Sequence, residues 1–156
     1  DVDPAMVLFV MEKEGLGPHE CDTLMNEESG LIGVSGISSD MRDLIKAYEE
    51  GNDRARLALQ MYSYRVRKYI GMYAVSMNGV DIVVFTGGVG ENGVLIRSMC
   101  CTDMEYLGID FDEEKNKKAI GTEGELTSQD SRVRVLCVPT NEELVIARDT
   151  ARIIDN

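Results

Sequence analysis

The residues of this sequence that are most suited to chemistry lie in two short segments, each directly after an apolar run. The first is the glycine-rich segment Thr86-Gly87-Gly88-Val89-Gly90-Glu91-Asn92, which follows the run Val80 to Phe85. Glycines allow the backbone to pass close to a ligand just before a helix begins, an arrangement that suits a phosphate or a nucleotide. The segment is not a P-loop, because the G-x-x-x-x-G-K-S/T spacing and its lysine are absent.

The same glycines also match a dinucleotide-binding fingerprint. Gly88, Gly90 and Gly93 fit the pattern G-x-G-x-x-G, and an aspartate follows about 20 residues later, as that fingerprint requires. Glu91 argues against this interpretation, because its carboxylate would repel a pyrophosphate. An NAD-binding oxidoreductase domain is therefore one alternative that the spacing leaves open.

The second segment, Pro139-Thr140-Asn141-Glu142-Glu143-Leu144, follows the apolar run Val133 to Val138. Thr140 and Glu143 form the T-x-x-E pattern of a capping box, which assigns Glu143 to the start of a helix. Glu142 has no role in that pattern, and a carboxylate at the carboxyl end of a strand is well placed to hold Mg²⁺ beside bound phosphates. The alternative is an acidic side chain that the helix dipole favours, and these residues alone do not decide between the two.

Helical patterns must position these segments, and two short ones open the chain. Asp3 and Pro4 are a cap and first-turn proline, and they predict a helix up to Gly15. A second helix is expected over residues 18–27. The glycine- and serine-rich segment 29–40 predicts a packed loop, of the kind that often carries sites.

Asp40 is placed to cap a further helix that ends near Glu50. The longest pattern follows, with apolar residues three and four apart over some 25 positions, and it predicts a helix of the core or of a dimer interface. Its apolar stripe consists of Ala55, Leu59, Tyr62, Val66, Tyr69, Tyr73 and Met77.

Strands alternate with helices in the second half of the chain. Val80 to Phe85 has the pattern of a buried strand, and Val133 to Val138 is the second strong strand. A weaker strand is expected over residues 106–111, followed by an acidic loop region through Asp130. Helices are predicted from about Glu91 to Met104 and over residues 141–154, so the fold class is α/β.

The composition limits the classes of protein to which the chain can belong. Its 156 residues, 44% of them hydrophobic, predict one domain with a substantial core. Sixteen lysines and arginines against 28 aspartates and glutamates give a net charge of −12, which disfavours binding to nucleic acid or to an anionic membrane. No apolar run approaches the roughly 20 residues that cross a bilayer, and we expect a cytoplasmic protein without membrane contact.

The four cysteines show no C-x-x-C spacing, and His19 is the only histidine. A structural zinc site is therefore not expected. Cys137 lies within the apolar run Val135 to Val138, which predicts a buried, reduced thiol.

Beyond these patterns, the sequence resembles the acetate kinase family over essentially its whole length and in the expected order. The resemblance is carried by four segments, at residues 29–43 (SGLIGVSGISSDMRD), 64–71 (YRVRKYIG), 83–92 (VVFTGGVGEN) and 138–149 (VPTNEELVIARD). It implies a ribonuclease-H-like, actin-like ATPase domain, as in the superfamily of acetate and sugar kinases, heat-shock protein 70 and actin. Acetate kinases are longer, so the implied match is a single partial domain over residues 1–156, the C-terminal part lacking its first strands.

The resemblance also assigns roles to residues. It implies that Asp40, Met41 and Arg42 line an adenosine pocket for ATP or ADP, and that Glu142 helps to bind Mg²⁺. It further implies a nucleotide-binding loop whose backbone lies against the adenosine and the phosphates: Gly88, Val89, Gly90, Glu91 and Asn92. Gly93 stands where serine or alanine is common in the family, and we expect it to be incidental to binding.

In the family, the γ-phosphoryl group of ATP passes reversibly to acetate and gives acetyl phosphate. The acetate pocket and the catalytic side chains of the family precede the segment resembled here, so we expect no catalytic residue in this chain and no turnover by the chain alone. The family dimerises through its C-terminal domains, and an exposed sheet edge favours pairing with another copy, so a homodimer is expected.

Three alternatives stay open at this point. The first is propionate or butyrate kinase, because the resemblance places the pocket that measures the acyl chain outside this sequence. The other two are the NAD-binding oxidoreductase and a noncatalytic nucleotide-sensing or assembly domain of the actin type.

Overall fold

The structure, a computed structural model, describes residues 2–154, without the side chain of Glu142. The chain forms two compact units, residues 1–62 and residues 63–156. The long helix α5, Asp53–Ser76, contributes to both units. Both units contain helices and the second contains a mixed sheet, which confirms the α/β class.

The first unit contains four short helices before α5. Asp3 caps α1 by accepting a hydrogen bond from Ala5 N at 2.9 Å, and Gly15 ends the helix with φ at 67°. Cap and terminator lie within the local sequence, which is why this helix was predictable. The four helices are α1 (Pro4–Glu14), α2 (Pro18–Asn26), α3 (Gly30–Ser35) and α4 (Met41–Glu49).

The loop expected over residues 29–40 is in fact partly helical, so that prediction was wrong for α3. Two of the carbonyl groups at the end of α3 accept hydrogen bonds from Arg54, which lies on α5: Val34 O at 2.7 and 3.0 Å and Gly33 O at 3.4 Å. Gly36 then ends the helix with φ at 67°. Because Arg54 lies about 20 residues away, the local composition gave no sign of this cap.

The apolar stripe on α5 is buried only near the start of the helix. Ala55 and Leu59 are completely buried, whereas Tyr73 is 56% and Met77 63% exposed. The prediction of a core helix is therefore confirmed for its first turns.

The second unit contains a three-stranded sheet, in which the last strand of the chain lies in the centre. Strand β1 (Ile82–Phe85) runs parallel to β3 (Arg134–Cys137), with Phe85 opposite Cys137. Strand β2 (Gly124–Glu125) is antiparallel to β3. The carboxyl ends of β1 and β3 therefore lie side by side at one edge of the sheet, and the two segments suited to chemistry follow those ends.

One face of the sheet carries the core of this unit, in which Val135 and Cys137 of β3 are completely buried. On β1, Val83 and Phe85 pack against the core, but Ile82 and Val84 are 45% and 50% exposed. A buried strand was predicted, and that prediction was wrong for Ile82 and Val84. Strand β1 lies at the sheet edge and only one of its two faces meets the core, so an apolar run does not by itself show burial on both faces.

The stretch between the two strong strands also differs from the prediction. Residues 105–107 form a turn of 3₁₀ helix instead of a strand, and only an isolated bridge pairs Phe111 with Thr127. The expected acidic loop contains α8 (Glu113–Lys118), which Asp112 caps through the backbone N–H groups of Glu114 and Lys115, both at 3.0 Å. This helix has no apolar stripe, and hydrophobic periodicity therefore missed it.

Three helices complete the unit: α6 (Gly87–Asn92), α7 (Val94–Cys101) and α9 (Glu142–Ile154). Helix α9 confirms the final predicted helix. The helix predicted from about Glu91 instead starts earlier, at Gly87, and is interrupted at Gly93. All four cysteines are buried free thiols, as predicted for Cys137. Within residues 2–154, no helix combines the length and apolar character needed to cross a membrane.

Candidate nucleotide-binding site

The first predicted set of site residues lies at the start of α4. Asp40 is the N-cap and accepts a hydrogen bond from Arg42 N at 2.8 Å. The guanidinium group of Arg42 grips the same carboxylate, with Nη2 2.6 Å from Oδ2 and Nε 3.0 Å from Oδ1. These hydrogen bonds lower the pKa of Asp40 from its ordinary value of 3.8 to about 2.

The side chain of Arg42 is 89% exposed, although Asp40 holds it. A guanidinium plane held at its edge keeps its two faces available for stacking on an aromatic ring. Met41, between the two charged residues, is buried and anchors the start of the helix. The expected adenosine-pocket residues thus form a locally organised group within the first unit.

The second predicted set, Gly88 to Asn92, forms most of the six-residue helix α6. A loop was predicted, and that prediction was wrong. Gly87 has φ at 70°, which favours glycine at the point where the chain turns from β1 into the helix. At Gly90, a Cβ atom would lie 3.0 Å from the carbonyl carbon of Phe85, so glycine allows α6 to pack closely on the end of β1.

The G-x-G-x-x-G arrangement does not occur as a dinucleotide-binding turn. Gly88 and Gly90 are already helical, and Gly93 follows the last residue of α6, whereas the fingerprint places its glycines in the turn before and at the start of one continuous helix. Gly93 instead has a steric role. A Cβ atom there would clash with the carbonyl oxygen of Val89 and touch the Ile96 side chain at 3.4 Å.

A buried arginine that the sequence analysis did not single out holds the end of α6 in place. Arg97, on α7, is completely buried, and its Nη1 donates to the carbonyl oxygens of Gly90 at 2.7 Å and Glu91 at 2.8 Å. Its Nε donates to Asn116 Oδ1 at 2.7 Å, and its Nη2 donates to Asn116 O at 3.0 Å and Ala119 O at 2.7 Å. Arg97 therefore joins the end of α6 to α8 through five hydrogen bonds.

Burial lowers the pKa of the Arg97 guanidinium, although guanidinium groups stay charged in proteins. The thiol of Cys137 lies 3.8 Å from Nη1, and burial raises the pKa of that thiol. Carbonyl oxygens thus provide most of the compensation for the buried charge. The sequence does offer one signal for this residue: Arg97 stands in Val94–Cys101, where Leu95, Ile96, Met99 and Cys100 surround it with apolar side chains.

The carboxylate of Glu91 contacts the second segment suited to chemistry, residues 139–144. Its Oε1 accepts hydrogen bonds from both the backbone N–H and the hydroxyl group of Thr140, each at 2.7 Å. These two hydrogen bonds lower the pKa of Glu91. The structure thus brings the two segments suited to chemistry together through a direct contact that spacing alone could not reveal.

The cap of α9 differs from the predicted capping box. Asn141, not Thr140, caps α9, because its Oδ1 accepts a hydrogen bond from Leu144 N at 3.0 Å. Thr140 instead donates its hydroxyl proton and its backbone N–H to Glu91. Glu142 is the first residue of α9, but its side chain lies outside the described residues, so its expected role as a Mg²⁺ ligand stays a prediction.

Mg²⁺ that is bound together with a nucleotide needs fewer protein ligands than a metal ion held by protein groups alone. Among the side chains that the structure describes, no group of three or more histidine, cysteine, aspartate or glutamate residues is placed to hold a metal ion. Mg²⁺ is commonly bound through one or two carboxylates, with phosphate oxygens and water as its other ligands. A single carboxylate at the start of α9 fits that pattern.

Comparison with known proteins identifies the family that this chain resembles. The model of the acetokinase family matches residues 1–148. Acetate kinase from Moorella thermoacetica is 54% identical over 154 residues, which cover 99% of this chain and 38% of that protein.

Solved structures show the same likeness. The crystal structure of Porphyromonas gingivalis acetate kinase matches with a TM-score of 0.90 at 50% identity, covering 99% of this chain and 39% of that one. A propionate kinase from Francisella tularensis matches with a TM-score of 0.84 at 33% identity, covering 94% of this chain and 37% of that one. The chain therefore spans less than half the length of these relatives.

Proposed function

The chain belongs to the acetokinase family, and from that membership we propose that it supplies the adenine-nucleotide and Mg²⁺ binding part of an acetate kinase. Such an enzyme transfers the γ-phosphoryl group of ATP to acetate, reversibly, and forms acetyl phosphate. The observation that carries the proposal is 54% identity over 154 residues to an acetate kinase. Membership of this family argues against the NAD-binding alternative.

In this proposal, two groups of residues hold the nucleotide. Asp40 fixes the guanidinium group of Arg42, and Arg42 presents its exposed face to the adenine ring. The backbone of Gly88 to Asn92 lies against the adenosine and the phosphates. Arg97 keeps that backbone in place through its hydrogen bonds to Gly90 O and Glu91 O, so that little rearrangement is needed when the nucleotide binds.

Glu142 would hold the Mg²⁺ ion, which neutralises charge on the phosphate oxygens when it is bound. Phosphoryl transfer depends mainly on positioning and on stabilisation of charge, and rigid nucleotide contacts serve the first of these. The finer features of the proposal are a homodimer in the cytoplasm and acetate as the acyl acceptor, with propionate and butyrate as the alternative acceptors. The resemblance to acetate kinases supports these features.

A chimeric enzyme tests the proposal. In it, this chain replaces the matching segment of Moorella thermoacetica acetate kinase, and formation of acetyl phosphate from ATP and acetate is measured. We expect turnover, and we expect Arg42→Ala to raise the KM for ATP while leaving the KM for acetate nearly unchanged. Arg56→Ala is the matched control, because Arg56 is another partly exposed arginine that pairs with a nearby aspartate, Asp53, at 3.6 Å.

Calorimetric titration of the same chimera with Mg·ADP and with NAD separates the classes of function. Binding of Mg·ADP supports the proposal. Binding of NAD without binding of Mg·ADP would contradict it, and so would an effect of Arg42→Ala confined to acetate.

A further inference from the structure

The start of α9 is held in place mainly through the turn that precedes it. All described side chains of α9, residues 143–154, are exposed, so the helix itself has little buried surface to fix its position. The turn is attached at two points: Val138 N donates to Phe85 O at 2.9 Å, and Thr140 donates to Glu91. The position of Glu142, two residues after Thr140, therefore depends on the second attachment.

Glu91 is a rigid anchor for this attachment. Its carbonyl oxygen accepts hydrogen bonds from the buried Arg97 at 2.8 Å and from the Gly121 backbone N–H at 3.1 Å. Its carboxylate then accepts two hydrogen bonds from Thr140. Hydrogen bonds to an ionised acceptor are about twice as strong as neutral ones, so this pair can hold a solvent-exposed turn.

We propose that Glu91 and Thr140 are positioning residues for Mg²⁺, which fix the turn leading into Glu142 against the nucleotide-contacting helix α6. This inference rests on the proposed function, since it presupposes nucleotide contacts at α6 and a metal ligand at Glu142. In this inference, Mg²⁺ strengthens nucleotide binding because the turn before Glu142 and helix α6 are already joined before Mg²⁺ or the nucleotide binds.

The inference predicts different effects on ADP binding with and without Mg²⁺. Loosening the turn leaves the contacts of α6 with the nucleotide in place, so ADP without Mg²⁺ should bind as before. Mg²⁺ should then strengthen ADP binding less, because its carboxylate ligand is no longer held in position. A merely structural role would weaken both kinds of binding together or lower only the melting temperature.

The experiment measures the Kd of ADP with and without Mg²⁺ by calorimetry in the chimera described above. We expect Thr140→Val, which removes the hydroxyl donor, to reduce the strengthening by Mg²⁺ about tenfold, the effect of losing a hydrogen bond to a charged group. Thr140→Ser keeps the donor and should behave as the unmodified chain does. Thr102→Val is the matched control, since the hydroxyl of Thr102 donates to a backbone carbonyl, Ser98 O at 3.0 Å, on another helix.

A second variant keeps the test decisive if Thr140→Val does not fold. Glu91→Gln retains an acceptor oxygen but loses the charge, and we expect a smaller loss in the same direction. Folded variants that leave the effect of Mg²⁺ unchanged, or that weaken metal-free ADP binding equally, would overturn the inference alone. Failure of the unmodified chimera to bind ADP at all would overturn the proposed function, and the inference with it.

Discussion

The two sets of residues expected at the nucleotide are held by different kinds of contact. Asp40 and Arg42 fix each other across two positions of the chain, through a cap and an ion pair on the surface of the first unit. In the second unit, Gly90 and Glu91 are held chiefly by the buried Arg97, which lies six and seven positions away on the next helix. Arg97 is in turn held by Asn116 and Ala119, which follow it by 19 and 22 positions. A local arrangement tolerates changes elsewhere in the chain, whereas a long-range arrangement fails when one distant residue is replaced.

The largest effect should follow from Arg97→Met, which keeps a long, unbranched side chain but removes every donor. Five hydrogen bonds to oxygen acceptors would be lost, among them the buried one to Asn116 Oδ1, so we expect a loss of about 3–5 kcal/mol in the free energy of unfolding. Urea unfolding of the chain measures this loss. Arg56→Met is the control, because the half-exposed Arg56 forms a surface ion pair with Asp53 at 3.6 Å and its replacement should cost less than about 1 kcal/mol. Equal losses in the two variants would show that the buried hydrogen bonds of Arg97 stabilise the chain no more than a surface ion pair does.

Gly93→Ala should have the next largest effect. A methyl group there meets the carbonyl oxygen of Val89, a backbone atom that cannot move without disturbing α6, and we expect a loss of about 1–3 kcal/mol in the free energy of unfolding. Gly88→Ala is the control for stability, because nothing lies within 4 Å of the added atom and Gly88 is helical. If the two variants unfolded at the same urea concentration, the close packing at Gly93 would be unimportant.

The same contrast between local and distant contacts explains which features were predictable from the sequence. The caps at Asp3 and Asp40 join residues two positions apart, so their patterns indicated α1 and α4 correctly. The T-x-x-E pattern at Thr140 was equally clear and wrong, because Asn141 caps the helix and Thr140 is bound to Glu91, 49 positions away.

The residues of the candidate site show the same contrast between local and distant contacts. The glycine segment was identified as a functional element, but its helical form depends on packing against Phe85 and on support from Arg97. Neither contact has a signature in local spacing. The apolar neighbours of Arg97 were the one available sign that this charge would be buried, because a helix that is apolar all round is usually buried.

Asn141→Ala tests the corrected cap of α9 and should have a smaller effect. We expect the first turn of α9 to lose about 1 kcal/mol of local stability, while Glu143→Ala has little effect on the cap. Hydrogen exchange of the backbone amides at residues 143–146 measures this loss, since a helix with exposed side chains opens locally before the chain unfolds. A larger effect of Glu143→Ala than of Asn141→Ala would restore the capping box.

The smallest effect concerns pH and the local group at Asp40. Its pKa is lowered from 3.8 to about 2 in the folded chain, chiefly by the side-chain hydrogen bond from Arg42. The folded state thus binds the proton less readily than the unfolded state, so the carboxylate stabilises α4 fully above about pH 4 and loses this effect as the pH falls through 2. An NMR titration of the Asp40 carboxyl group measures its pKa directly, and Arg42→Ala should raise that pKa towards its ordinary value. Because the backbone hydrogen bond from residue 42 survives the substitution, the return should be incomplete. Arg97→Lys is the control and should leave the pKa of Asp40 unchanged, because the contacts that lower this pKa come from Arg42. A change in the pKa of Asp40 in that variant would contradict the contrast between the two sets of residues.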